Sequence, residues 1–247
     1  MKEQISINNL NYDVYNKIQK TSKMEFVKQV EDQLIVAAQE FYKQEYNLDM
    51  THVDTFVLLN KIHIVLKWKE DNELLLSYVV TTDFEDMNNL FLSKFDMNEK
   101  GIIAAYIMSK IYSNEMFKFK EFIGKNFNNP VIDTFPIHMN KNLYYKNGLY
   151  FSVIQKDFDI LIDYFKKNKS VEFLSDQFYK IFSRLENPII VGVDVYVDNN
   201  QLNENQLKKV KEYVKTLFPE KQFNECVTLS SKHINANFLV PVDMIKG

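Results

Sequence analysis

Residues Val191 to Asn200 read VGVDVYVDNN. In an extended chain successive side chains alternate sides, so Val191, Val193, Val195 and Val197 share one face. Gly192, Asp194, Tyr196 and Asp198 share the other. Four β-branched residues at period two mark a strand with one buried side, while the polar NNQ that follows ends it. The two aspartates also raise the question of a metal site. At ~3.3 Å per residue they stand about 13 Å apart along a regular strand, too far to ligate one Mg²⁺ together. Asp194 alone, completed by an acid from elsewhere, is the weaker metal candidate, and no metal site is expected.

Downstream, Asn203 with Gln206 three residues later opens the helix LKKVKEYVKTL, and CVTLSS and NFLVPVDM follow as two strands. Pro241 places the last strand at a sheet edge or a bulge. Upstream, Ser170 caps a helix whose apolar face is Val171, Leu174, Phe178, Ile181, Phe182 and Leu185, stopped by Asn187-Pro188. Asp157 is expected to cap FDILIDYFKK. Before it, NLYYKNGLYFSVI carries Asn147-Gly148 between two aromatic strands, a strong hairpin signal.

The N-terminal part has another texture, with no glycine or proline from Met1 to Lys100. Ser22 and Glu25 form a capping box ahead of Val27, Val30, Leu34, Ala37, Ala38 and Phe41 at helical spacing. KIHIVLKW alternates and, with KEDNE as a turn and LLLSYVV as the return, predicts one β-hairpin. A short helix starting at Thr82 or Asp83 and running to Phe95 is expected, then a longer one from about Asn98 to Phe122. The fold class is α+β: a helix-rich part with one hairpin over residues 1–128, then an α+β part over 129–247. Residues 188–247 form its terminal β-α-β-β module.

Composition narrows the chemistry. The 247 residues carry a net charge of −3, so there is no basic footprint for nucleic acid. Arg184 stands alone against 29 lysines, which disfavours sequence-specific nucleic-acid binding, since the planar guanidinium reads guanine and grips phosphate. Only five glycines are present, too few for most phosphate-wrapping loops. MKEQISINNLNYDV lacks the apolar core of a secretory signal, and no apolar run approaches the ~20 residues of a membrane span. Cys226 is the sole cysteine, which leaves no internal disulfide.

Candidate chemistry is sparse. His52, His63, His138 and His233 fall singly, and surface exposure or a local hydrogen bond is expected for His63. Cys226 and His233 make an imaginable nucleophile pair across the last hairpin, against the ordinary reading of Cys226 as a small buried hydrophobe. Asp83 and Asp86 in TTDFED suit a helix start, and Asp159 and Asp163 a solvated helix face. No catalytic residue and no cofactor is expected. The aromatics beside the Asn-Gly turn, Tyr144, Tyr145, Tyr150 and Phe151, are candidate interface residues, although alternation lets only half of them share a surface.

The order GVDVYVD, NNQLNENQ, LKKVKEYVKTLFPE, ECVTLSS and NFLVPVDM resembles the C-terminal module of tailed-phage baseplate J-like proteins over about a quarter of the chain. KQFNE stands where such modules usually carry a glycine after the helix. The resemblance implies a structural part of a virion. The expectation is therefore a non-enzymatic assembly protein, a tail, neck or baseplate subunit of a phage or mobile element. Its partners would be copies of itself and neighbouring assembly proteins, not a membrane, in the host cytoplasm or in a virion assembled there. The alternatives are an intracellular protein that binds and regulates a host factor, and a metal-dependent enzyme acting on nucleic acid through Asp194.

Overall fold

The computed structural model describes residues 22–58, 61–81, 92–94, 99–128, 130, 144–146, 149–152, 155–185, 189–220, 222–235 and 238–246. Two compact units divide these residues: one runs to Glu99, the other from Lys100 onward. The change of texture near residue 128 suggests a later boundary. The division instead falls at the start of the helix pair 99–126, whose Tyr112 and Phe119 are buried in the second unit's core.

The first unit sets helix α1 (Ser22–Tyr46) against a four-stranded antiparallel sheet, β1 (Met50–Leu58), β2 (Lys61–Trp68), β3 (Leu75–Thr81) and β4 (Ser93–Lys94), in that order. Along α1 the buried stripe is Val27, Leu34, Ala38, Tyr42 and Tyr46, while Ala37 faces solvent. Phe41 and Tyr42 reach Tyr78 of β3, with ring centroids 5.6 and 6.5 Å away. Asn47 ends the helix at φ 52°, in the left-handed region, as Leu48 N–H returns to the Tyr42 carbonyl at 3.2 Å.

The expected hairpin is present as β2 and β3, paired Ile62 with Val80 through Lys67 with Leu75. β1 extends it into a larger sheet, and β4 pairs with Val80 and Thr81 where the end of a short helix is expected. The rest of that helix, with Asp83 and Asp86, lies outside the described residues. β2 is buried on both faces, so His63 is not at the surface. Its ring stacks on Phe56 at 4.6 Å, and Nδ1 lies 3.3 Å from Ser77 Oγ.

The second unit is a five-stranded sheet in the order β5 (Tyr144–Lys146), β6 (Leu149–Ser152), β7 (Ile189–Val197), β8 (Phe223–Asn235), β9 (Phe238–Lys246). β7 and β8 are parallel, joined by the crossover helix α6 (Glu204–Leu217); the other pairs are antiparallel. The terminal β-α-β-β order is as expected, but it continues a sheet begun by β5 and β6. β9 is an edge strand, where Pro241 costs no interior ladder bond.

The expected long helix is two, α2 (Glu99–Ile111) and α3 (Ser113–Asn126), broken at Tyr112, whose φ −101°, ψ 28° is not helical. Next come α4 (Gln155–Lys167) and α5 (Val171–Phe182). Asp157 lies inside α4 rather than capping it. Two caps form as the side chains dictate: Ser170 Oγ accepts the Phe173 N–H at 3.2 Å, and Asn203 Oδ1 accepts the Gln206 N–H at 3.0 Å.

The valine face of β7 is buried throughout, beside Leu149, Phe151, Phe223, Val227 and Leu229. Tyr112 sits over it at 5.9 Å from Phe151, 5.6 Å from Phe218 and 5.4 Å from Phe223. α5 adds Phe178, 6.1 Å from Tyr112, and Phe182, 5.4 Å from Phe223. The helices therefore cover the valine side of the sheet.

Candidate interaction surface

The other side of the second sheet is more open. Gly192 pairs with Tyr150 on β6 and with Cys226 on β8, and Ile190 pairs with Ser152 and Asn224. These six residues therefore share the face opposite the valines. Ile190 is 39% exposed, Asn224 and Cys226 are exposed, and Tyr150 and Ser152 are half-buried. Gly192 is buried because the Tyr150 ring lies directly on it. A Cβ built there would stand 1.9 Å from Tyr150 Cζ. Glycine inside a valine strand is the sequence signal for such an approach, although nothing in the sequence says which side chain makes it.

The candidate interface residues separate. Phe151 is wholly buried in the core, facing Tyr112 and Phe218, so it belongs to packing and not to a contact surface. Tyr150 is on the opposite, open face. Tyr144 and Tyr145 lie on β5, paired with Phe151 and Tyr150, and their side chains are outside the described residues. Ile190, Asn224 and Cys226 join Tyr150 only through the register of three strands, which no local pattern carries.

Among the described residues the candidate catalytic groups do not converge. Among the described residues no three His, Cys, Asp or Glu side chains are placed to hold a metal ion. Asp194 sits mid-strand opposite Thr228, its side chain outside the described residues, and Asp198 is half-buried where its carbonyl accepts the Gln201 N–H. Cys226 and His233 both lie on β8, not across a hairpin. Seven residues of strand put them about 23 Å apart. His138 is outside the described residues. Asp159 is paired with Lys100 at 2.8 Å, and Asp163 lies 3.8 Å from Lys166 on its own helix.

Two polar clusters in the first unit are absent from the sequence reading. At the bulge of β1 between His52 and Asp54, His52 Nε2 lies 2.8 Å from Thr55 Oγ1 and 3.9 Å from Glu31 Oε1. Both contacts fall on the same ring nitrogen. A base oriented by a carboxylate needs one contact on each nitrogen, so this is not a proton relay. Glu99, the first residue of α2, is buried and accepts from Lys94 Nζ at 2.9 Å, and that ammonium lies 4.2 Å from the centre of the Phe41 ring. A shallow depression of about 310 Å³ near the end of α1 is lined by Gln39, Lys43, Asp49, Met50 and Lys69. There the hydrogen bond from Lys43 holds the Asp49 carboxyl below its ordinary range. Local charge pairing accounts for all three features. Among the described residues no helix is long and apolar enough to cross a membrane.

The fold has a counterpart. The solved structure of a DUF1672 family protein from Staphylococcus aureus subsp. aureus is similar over 90% of this chain and 89% of that one, with a TM-score of 0.58 at 14% sequence identity. At that identity the likeness concerns the fold alone. No family model matches the sequence, and no curated protein matches it.

Proposed function

We propose that this chain is a non-enzymatic assembly protein, working through contacts with copies of itself and with neighbouring subunits. The observation that carries the reading is the one-sided second sheet. Its valine face is sealed by helices, and its other face offers Tyr150 on Gly192, exposed Ile190, Asn224 and Cys226. An aromatic and an aliphatic residue framed by polar neighbours match the make-up of protein interfaces. The narrower reading, a tail, neck or baseplate subunit of a phage or mobile element, is supported by the C-terminal resemblance and the β-α-β-β order.

Sedimentation velocity of the purified chain, alone and with particle fractions, tests this. The expected result is an oligomer or particle-bound protein, with Ile190→Lys reducing the bound fraction while far-UV circular dichroism is unchanged. A stable monomer that takes up a single host protein would replace the reading with that of a regulator. A Mg²⁺-dependent activity abolished by Asp194→Ala would replace it with an enzyme.

A further inference from the structure

Helix α3 is fixed on two sides. Met116, Phe119 and Ile123 are buried beneath it. On one flank Phe122 stacks on Tyr213 of α6 at 4.0 Å, and the Tyr213 hydroxyl donates to the Lys118 carbonyl. Another flank has no such cover. Phe117 is 56% exposed, and Gly124, seven residues on and so on the same side of the helix, has nothing within 4 Å of where a Cβ would stand. A glycine inside a helix is less stable than alanine there, and neither a positive φ nor a close neighbour among the described residues requires it. Lys120 and Glu121 lie between the two, both exposed.

This arrangement is self-complementary. If two α3 helices cross antiparallel about a point between residues 120 and 121, position 117 of one meets position 124 of the other, and 120 meets 121. Each large apolar ring then faces a glycine, and each lysine faces a glutamate. We propose that this flank of α3 is a self-association surface on which a second copy docks across a two-fold axis. Phe117 of each copy covers the partner's Gly124, and Lys120 pairs with the partner's Glu121. The contact is isologous, as a two-fold dimer requires. It builds on the assembly reading above and assigns one of its contacts. Phe117 and Gly124 stand about 10 Å apart along the axis, so both ring contacts fit within this 14-residue helix. A single helix pair is smaller than the standard interface, so the dimer is weak and concentration-dependent.

Sedimentation equilibrium of the full chain over a wide concentration range tests the surface. The native chain is expected to dimerise, and Phe117→Ala or Gly124→Leu to weaken the dimer by ~10-fold or more, with native far-UV circular dichroism. Lys120→Glu and Glu121→Lys should each weaken it, and the double swap should restore it to within ~3-fold of native, a rescue that general destabilisation does not produce. In a Cys226→Ser background, mixing Phe117→Cys with Gly124→Cys chains should yield an oxidised heterodimer. If the chain self-associates but Phe117→Ala, Gly124→Leu and the swap leave association unchanged, this surface is refuted and the assembly reading stands through another face. If the chain is monomeric at every concentration and binds no particle, both fall.

Discussion

Gly192 and Tyr150 are one structural feature made by two residues. With 1.9 Å between the built Cβ and Tyr150 Cζ, any side chain at 192 forces the ring away and uncovers the strand beneath it. Gly192→Ala is expected to cost about 1–3 kcal/mol in urea unfolding, an overpacking loss. In a Tyr150→Ala background the same change should cost little, and equal costs in the two backgrounds would refute the coupling. The charge on Asp54 is a second single-residue effect. Burial first, and then the nearby Glu31 charge, raise its carboxyl above the ordinary value, against the Thr55 N–H bond and His52, which lower it. The folded chain therefore holds this proton more tightly than the unfolded one. This contribution to stability rises as pH falls through the interval between the ordinary and the raised value. Asp54→Asn keeps an oxygen for the Thr55 N–H and removes the charge. At pH 7 it should be more stable than native by less than about 1 kcal/mol, discounted because the site is half open. Urea titrations at pH 7 and at pH below the ordinary aspartate range should show that gap closing.

At the scale of elements, local rules account for some boundaries and not for others. Ser170 and Asn203 cap their helices with the bonds their side chains favour, and each is expected to contribute about 1 kcal/mol. Ser170→Ala and Asn203→Ala should lower stability by that amount each and additively, since they start different helices; chemical denaturation of the singles and the double checks it. β7 was legible for the same kind of reason, because four valines at period two admit only one buried face. β1 was not. MTHVDTFVL holds Thr51, His52, Asp54 and Thr55 among its apolar residues, and its bulge at His52/Asp54 shifts the alternation by one residue. A pattern sought at strict period two passes over such a strand. The break at Tyr112 was equally hidden. Tyr112 belongs to an aromatic cluster assembled from four other segments, and its buried hydroxyl is driven far above the ordinary tyrosine range by that burial. Of the candidate site, alternation showed that only half of Tyr144, Tyr145, Tyr150 and Phe151 can share a surface, and the structure puts Tyr150 on the open face and Phe151 in the core. Its companion Ile190 depended on the antiparallel register of β6 with β7, and Asn224 and Cys226 on the parallel register of β7 with β8 that the α6 crossover sets.

For the whole molecule, the division at Glu99/Lys100 gives each unit its own core: Tyr42, Ile62, Ile64 and Leu66 in one, Phe151, Phe178, Val193 and Leu229 in the other. Units with separate cores can unfold separately, and a single unfolding free energy then has no meaning. The sole tryptophan, Trp68, lies buried on β2 in the first unit, so its fluorescence reports that unit directly. Five of the six helices lie at or beyond Glu99 among the described residues, so far-UV circular dichroism weights the second. Phe178→Ala removes a fully buried ring, at a cost of about 3–5 kcal/mol to the core that holds it. The expected outcome is a dichroism midpoint moved to lower urea while the Trp68 midpoint stays near its native value. Equal movement of the two probes would mean that both cores melt as one cooperative block. Independent units would also leave the α3 flank and the open sheet face on one body. Association through either should then raise the dichroism midpoint with protein concentration and leave the Trp68 midpoint unmoved.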